Sequence, residues 1–335
     1  MQRRDVLLAG TGAHHPARLI PNSWFDERFG GNVGQWLVDN LAIRQRYWME
    51  EGECTSDLCV PAAQQALARA QVSVDEIDLL IVATDTPDQA SPSTASVLQH
   101  KLGARRAATF DLNTACAGFV TGLDVASRFV GAPGRYQNAL VVGAYGMSRH
   151  LNHDDKKTVT LFADGAGAAV LRGVPAAADA PVRGWLGCDL ESDGQYWDWM
   201  GVYGGGTRLP ATPAVLERRD HQLVFARKFP KEVNPDTWAR MVPALCERLG
   251  FTPADVDRYI FTQLNIGSIR ETLDRLGLPH SRAHTVMDRV GYTGSACIPM
   301  ALHDAVVQGL ANPGELVMLV ASGGGLTFAA AAIRL

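Results

Sequence analysis

The sequence predicts an α/β protein built from two similar halves. Three observations point there. Short, wholly apolar runs alternate with helix-like stretches, the order of features in the first half recurs in the second, and small-residue turns follow the apolar runs. The 335-residue chain is 47% hydrophobic and 20% charged, which supplies a large core and excludes wholesale disorder.

Taken in order, VLLAGTGAHHP (6–16) reads as a buried first strand ending in a glycine turn. Further strands are expected at LLIVAT (79–84), ALVVGA (139–144), YIFTQL (259–264) and LVMLVAS (316–322). Each is apolar throughout, as expected of parallel strands covered on both faces. The repeat is visible in the segments between them. Residues 62–87 and 242–265 each give a helix, an acidic turn signal and a strand that runs into threonine. Residues 100–126 and 274–306 each give Leu-Gly, a strand, an Ala-Cys turn and an apolar helix. ALVVGAYGMSR with TLFADGAGAAVL is matched by the C-terminal LVMLVASGGGLTFAAAAIRL. The expected halves are 1–175 and 176–335. The second includes a linking stretch (185–210) whose glycines and aromatics suit a loop lining a pocket. Equivalent turns from the two halves should meet near a pseudo-two-fold axis, at Cys116, Thr262, Tyr292 and Gly323–Gly325.

Composition narrows the functions. The net charge is −4 and no long basic run is present, so nucleic acid is not an expected partner. The first apolar stretch spans only Val6 to Ala9. A spanning helix needs about 20 apolar residues and a signal peptide a longer apolar core, so neither is expected and the cytoplasm is the expected location. The six cysteines should be reduced thiols in that compartment. Cys54 and Cys59 resemble half a metal site, but no second pair lies nearby, and no metal is expected.

Cys116, in DLNTACAGF, falls between a strand and a helix start among residues small enough for a ligand to approach the backbone. A helix N-terminus should lower a thiol's pKa. Two readings stand on context alone: a nucleophile, or a buried small hydrophobe. SGGGLTF can expose backbone N–H groups that, with the N–H of Cys116, would stabilise a thioester oxyanion, or it can be a tight turn. Asp164, in FADGAGAAVL, reads as tight packing rather than catalysis. No Walker A or GxGxxG pattern is present in these runs.

DLNTACAGF, FADGAGAAVL and VASGGGLTF, in that order and spacing, resemble the β-ketoacyl-ACP synthase III family of the thiolase superfamily. The resemblance covers nearly the whole chain. It implies the thiolase fold, an αβαβα five-layer sandwich of two duplicated halves. It also implies Cys116 as the nucleophile, Gly325 among the oxyanion glycines, acyl-CoA as substrate with no tightly bound cofactor, and a homodimer. Condensing members act with an acyl carrier protein, a second expected partner. Trp36 matches a tryptophan that stacks the adenine of CoA, and Asn265 an asparagine near the pantetheine. Family arginines align with Gly267 and Asn40 instead. Ser91 falls where some relatives narrow the acyl tunnel with phenylalanine, which implies room for more than acetyl.

The chain departs from the family at two positions. A histidine in a motif of the form HQxN is replaced by Thr262, and an asparagine in GNTxSA by Tyr292. In condensing members that pair stabilises the enolate formed when malonyl thioester loses CO₂. Thr262 has one short hydroxyl donor. Tyr292 has a phenolic donor and reads either as a proton donor or as an aromatic filling vacated space. Acyl-transferring members carry a histidine at the Tyr292 place with an acid five residues on, where this chain has Cys297. Cys297 reads as structural, and His150, His153 and His303 fall in no catalytic motif.

Thiolate attack on an acyl thioester needs fewer groups than decarboxylation does. The expected function is therefore an acyltransferase that loads an acyl group on Cys116 and passes it to an acceptor, in fatty-acid-like or secondary-metabolite synthesis. The alternatives are decarboxylative 3-oxoacyl-ACP synthase III activity and a non-catalytic partner subunit of an active paralogue.

Overall fold

The computed structural model describes residues 3–177 and 179–335. The first half contributes β1 (Arg4–His14), α1 (Val33–Leu41), α2 (Thr55–Ala70), β2 (Leu79–Ala83), α3 (Thr94–Leu102), β3 (Ala108–Leu112), α4 (Gly118–Gly131), β4 (Asn138–Gly146) and β5 (Asp164–Pro175). The second contributes β6 (Gly184–Ser192), α5 (Val233–Leu249), β7 (Arg258–Phe261), α6 (Ile266–Arg275), α7 (Cys297–Val307), β8 (Leu316–Gly323) and β9 (Thr327–Arg334).

The halves repeat the same strand order, the second with one strand fewer. The first sheet runs β1-β5-β4-β2-β3, with β2 parallel to β3 and β4, and β5 antiparallel to β4 and β1. The second runs β6-β9-β8-β7, with β7 parallel to β8 and β9 antiparallel to β8 and β6. A bridge from Tyr259 to Ala283 takes the edge place that β3 holds in the first half. The two sheets touch edge to edge through one parallel pair, Val6 with Gly184.

Burial patterns explain the layers. α2 and α5 each bury one stripe, such as Trp238, Met241, Val242, Leu245 and Cys246 in α5, so each covers the outer face of a sheet. α4 buries Phe119, Val120, Leu123, Ala126 and Val130, and α7 buries Ile298 to Leu302. Both are apolar almost all round, and both pack between the sheets, α4 touching strands of each. The result is helix, sheet, helix, sheet, helix. The middle helices start at Gly118 and Cys297, so the two Ala-Cys turns face each other across the molecular centre.

The stretch 185–210 differs from its expected role. Trp185 to Ser192 is strand β6, hydrogen-bonded to β9, and of the remainder only Met200 reaches the cavity described next. A later segment, residues 225–234, supplies the lining instead.

Candidate active site

A cavity of about 1000 Å³ runs from the surface to Cys116. Its floor is formed by Cys116, Thr262, Tyr292, Ser322, Gly323 and Gly324, and its mouth includes Trp36, Asn265 and four lysines. The cysteine is held by its turn. Ala115 adopts φ 47°, a conformation that costs a non-glycine residue about 1–3 kcal/mol, and Asn113 Oδ1 accepts its N–H at 2.9 Å. Gly323 is required beside it. A Cβ there would lie 2.4 Å from the Thr114 carbonyl oxygen and 2.8 Å from the Cys116 nitrogen, so only glycine lets β8 approach the turn this closely.

Cys116 is 3% exposed. Burial pushes its thiol well above the ordinary range, and the charge of Asp85 adds to this. A hydrogen bond from Tyr292 pulls the other way without prevailing. Against the expectation that the helix start favours thiolate, burial outweighs the helix end here and holds the group toward the thiol.

Tyr292 is buried against Phe162 and Tyr145, with ring centroids 5.5 and 6.5 Å away, and its backbone is tied to Leu161 and Ala163. It fills space, and its hydroxyl interacts with the Cys116 thiol. Burial and the neighbouring thiol push its phenol well up, so it donates and does not act as a base at neutral pH.

Thr262 lies at the end of β7, and its hydroxyl is engaged across the strands. Its Oγ1 donates to the Ser322 carbonyl at 3.3 Å and accepts the Ser322 N–H at 2.9 Å. It joins the cavity wall but pegs β8 in place rather than offering a free donor. Gly325 lies outside the lining, which takes Gly323 and Gly324 from the same run.

Trp36 is 53% exposed at the mouth, which removes the alternative of a core tryptophan. Asn265 caps α6, its Oδ1 accepting the Gly267 N–H at 2.8 Å, and it faces the cavity. Lys156, Lys157, Lys228 and Lys231 also line it. Lys156 and Lys157 open the short helix Lys156–Val159 and the other two lie in loops; none falls in a motif, and only the fold shows that they converge.

No histidine lines this cavity. His303 meets Thr11 Oγ1 at 3.1 Å, and His150 Nδ1 lies 3.3 Å from the His221 carbonyl. Asp164 accepts the Met49 and Ser148 N–H groups and ties two segments together. The Cys297 thiol, pushed up to about 12 by burial, accepts from the Gln263 backbone outside the cavity. Ser91 is exposed and also lies outside it.

No helix among the described residues is long and apolar enough to cross a membrane. Residues 110–194 match the family described as 3-oxoacyl-[acyl-carrier-protein] synthase III, and residues 246–335 match its C-terminal part. The chain is similar to β-ketoacyl-[acyl-carrier-protein] synthase III of Roseiflexus sp., at 39% identity over 98% of this chain and 97% of that one. The protein of the same name from Rhodospirillum centenum is 38% identical over the full length of both. Among solved structures, 3-oxoacyl-[acyl-carrier-protein] synthase III of Aquifex aeolicus superposes with a TM-score of 0.85 at 28% identity, covering 98% of this chain and 100% of that one. The priming β-ketosynthase of the R1128 polyketide pathway gives a TM-score of 0.87 at 28% identity, covering 100% and 97%. With the five-layer fold and the cysteine turn already described, these matches show that the chain belongs to the 3-oxoacyl-[acyl-carrier-protein] synthase III family, enzymes of the thiolase superfamily.

Proposed function

We propose that Cys116 takes an acyl group from an acyl-CoA thioester and that the acyl-enzyme then condenses with a malonyl thioester, the kind of reaction for which the relatives are named. The observation that carries the reading is a buried cysteine at the floor of a deep cavity, next to glycines whose backbone can approach a thioester oxygen. In this reading Trp36 stacks the adenine, Asn265 lies along the pantetheine, and the four lysines meet CoA phosphates or an acidic carrier protein. We place the protein in the cytoplasm as a homodimer.

A second reading is favoured by Thr262 and Tyr292. Thr262 donates to Ser322 and Tyr292 hydrogen-bonds Cys116, so neither is a free donor waiting for the enolate oxygen that decarboxylation builds. This supports transfer of the acyl group to an alcohol, amine or other acceptor. The two separate on one measurement, release of labelled CO₂ from malonyl thioester during turnover of the acyl-enzyme. CO₂ formed in step with acyl consumption supports condensation. Acyl transfer without CO₂ supports the second reading and rejects the first.

A further inference from the structure

Away from the cavity, a second group of reactive side chains gathers where α2 begins and α3 ends. Cys54 holds the cap position of α2, outside the cavity lining. That position favours serine, threonine, aspartate or asparagine, whose oxygens accept helix N–H groups. Sulfur is a weak acceptor, so capping does not account for a thiol here. Cys59, in the same helix, is fully buried and turns its own thiol to the Thr55 carbonyl at 3.2 Å.

The Cys54 thiol donates to Asp57 Oδ2 at 3.1 Å and lies 3.3 Å from Ser56 Oγ. Lys101, in the last turn of α3, brings its Nζ to 3.6 Å from the same sulfur. That ammonium also donates to Asp57 Oδ1 at 2.6 Å and to Ser56 Oγ at 2.7 Å, so two oxygens hold it beside the thiol. The backbone that carries the thiol is fixed as well. Asp57 Oδ2 accepts the Cys54 N–H at 3.0 Å, and Asp88 Oδ1 accepts the Ser56 N–H at 2.9 Å. Cys54 is half-buried and Lys101 is exposed, which leaves the pair open to a small solute. A thiol, its proton acceptor and an amine are thus in contact at one place on the surface, on two different helices.

We propose that Cys54 and Lys101 are the site of a sulfur–nitrogen bridge, formed when hydrogen peroxide oxidises the thiol. In the first step the Cys54 sulfur attacks one peroxide oxygen and the O–O bond breaks. The thiol proton passes to Asp57 Oδ2, already its hydrogen-bond acceptor, and on to the leaving hydroxide, which departs as water. Cys54 is then a sulfenic acid, oxidised by two electrons while the peroxide is reduced by two. In the second step the Lys101 ammonium gives one proton to solvent, and its nitrogen attacks the Cys54 sulfur. The S–O bond breaks, the departing hydroxide takes a second proton from the nitrogen and leaves as water, and an S–N bond joins the side chains. Burial holds the resting thiol up, so a proton acceptor in contact with it is what lets it react.

The test is treatment of the full chain with hydrogen peroxide, alkylation of the remaining thiols, non-reducing digestion and peptide mass. In the wild type the Cys54 peptide should be joined to the Lys101 peptide, at a mass below their sum by two hydrogen atoms. Dithiothreitol should release both peptides unchanged. Lys101→Arg keeps a cation against Asp57 but removes the nucleophilic amine, so the join should be lost and Cys54 should run on to the sulfinic acid. Cys54→Ser should also lose the join, and it places a preferred residue at the cap, which guards the fold. Thermal unfolding checks that both variants are folded. In the wild type, Cys54 recovered as a free thiol, or as sulfinic acid without the join, overturns the proposal. A join at Cys54 that persists in Lys101→Arg overturns it too. The readout needs no acyl donor, so it is independent of what the cavity does.

Discussion

At the scale of single residues, the site turns on a competition at Cys116 between burial and its hydrogen bonds. Burial wins in the resting state, which makes the Tyr292 hydroxyl matter once the thiolate forms. Tyr292→Phe keeps the ring against Phe162 and Tyr145 and removes only that donor. A hydrogen bond to a charged group is worth about 1.5–3 kcal/mol, so acylation should slow by roughly 10–100-fold with little change in the unfolding temperature. Stopped-flow release of CoA thiol measures this; an unchanged acylation rate would leave Tyr292 as packing alone. The sequence made Cys116 legible because its turn has a local signature of small residues. Trp36 and Asn265 came through the family resemblance, and both line the cavity. The lysines at the mouth were not legible, because their convergence is long-range and no local pattern announces it. The raised thiol pKa was missed for the same reason: a helix start is a local feature, whereas desolvation comes from the whole surrounding fold.

At the scale of elements, the middle helices determine where the cysteine turn sits, and their all-round apolar sequences made them recognisable. The linking stretch was misjudged because glycines and aromatics in Trp185–Ser192 masked an edge strand that pairs with distant β9. Helix α7 is fastened at its polar side through Asp304, which bonds His284 Nε2 at 2.6 Å and Arg289 at 2.9 Å. Burial alone would raise the Asp304 carboxyl, but these two bonds outweigh it and hold the group well below the usual carboxylate range. A carboxyl lowered in the folded state stabilises the protein above its unfolded pKa, about 3.9, and the gain fades as the pH falls toward the folded value. Asp304→Asn should therefore lower the denaturation midpoint at pH 7, and the difference from wild type should shrink steadily from about pH 4 downward. Urea melts across that range check it. A penalty that is constant with pH would mean the side chain acts through shape and not through charge.

At the scale of the whole molecule, duplication places one strand-to-helix turn from each half at a shared centre. The first half supplies Cys116, and the second supplies Thr262, Tyr292 and Gly323 around it. This was legible because the internal repeat survives as an order of features even where residues have changed. What the repeat could not convey is the division of labour, since Cys297 occupies the equivalent turn and lies outside the cavity as a packed thiol. The central claim is that the asymmetry leaves a single acyl-accepting sulfur. Intact mass after incubation with a panel of acyl-CoA donors tests it most directly. The account predicts one added acyl group per chain, mapped to the Cys116 peptide and absent from Cys116→Ala. An adduct on Cys297, or none on Cys116 with any donor, would contradict it.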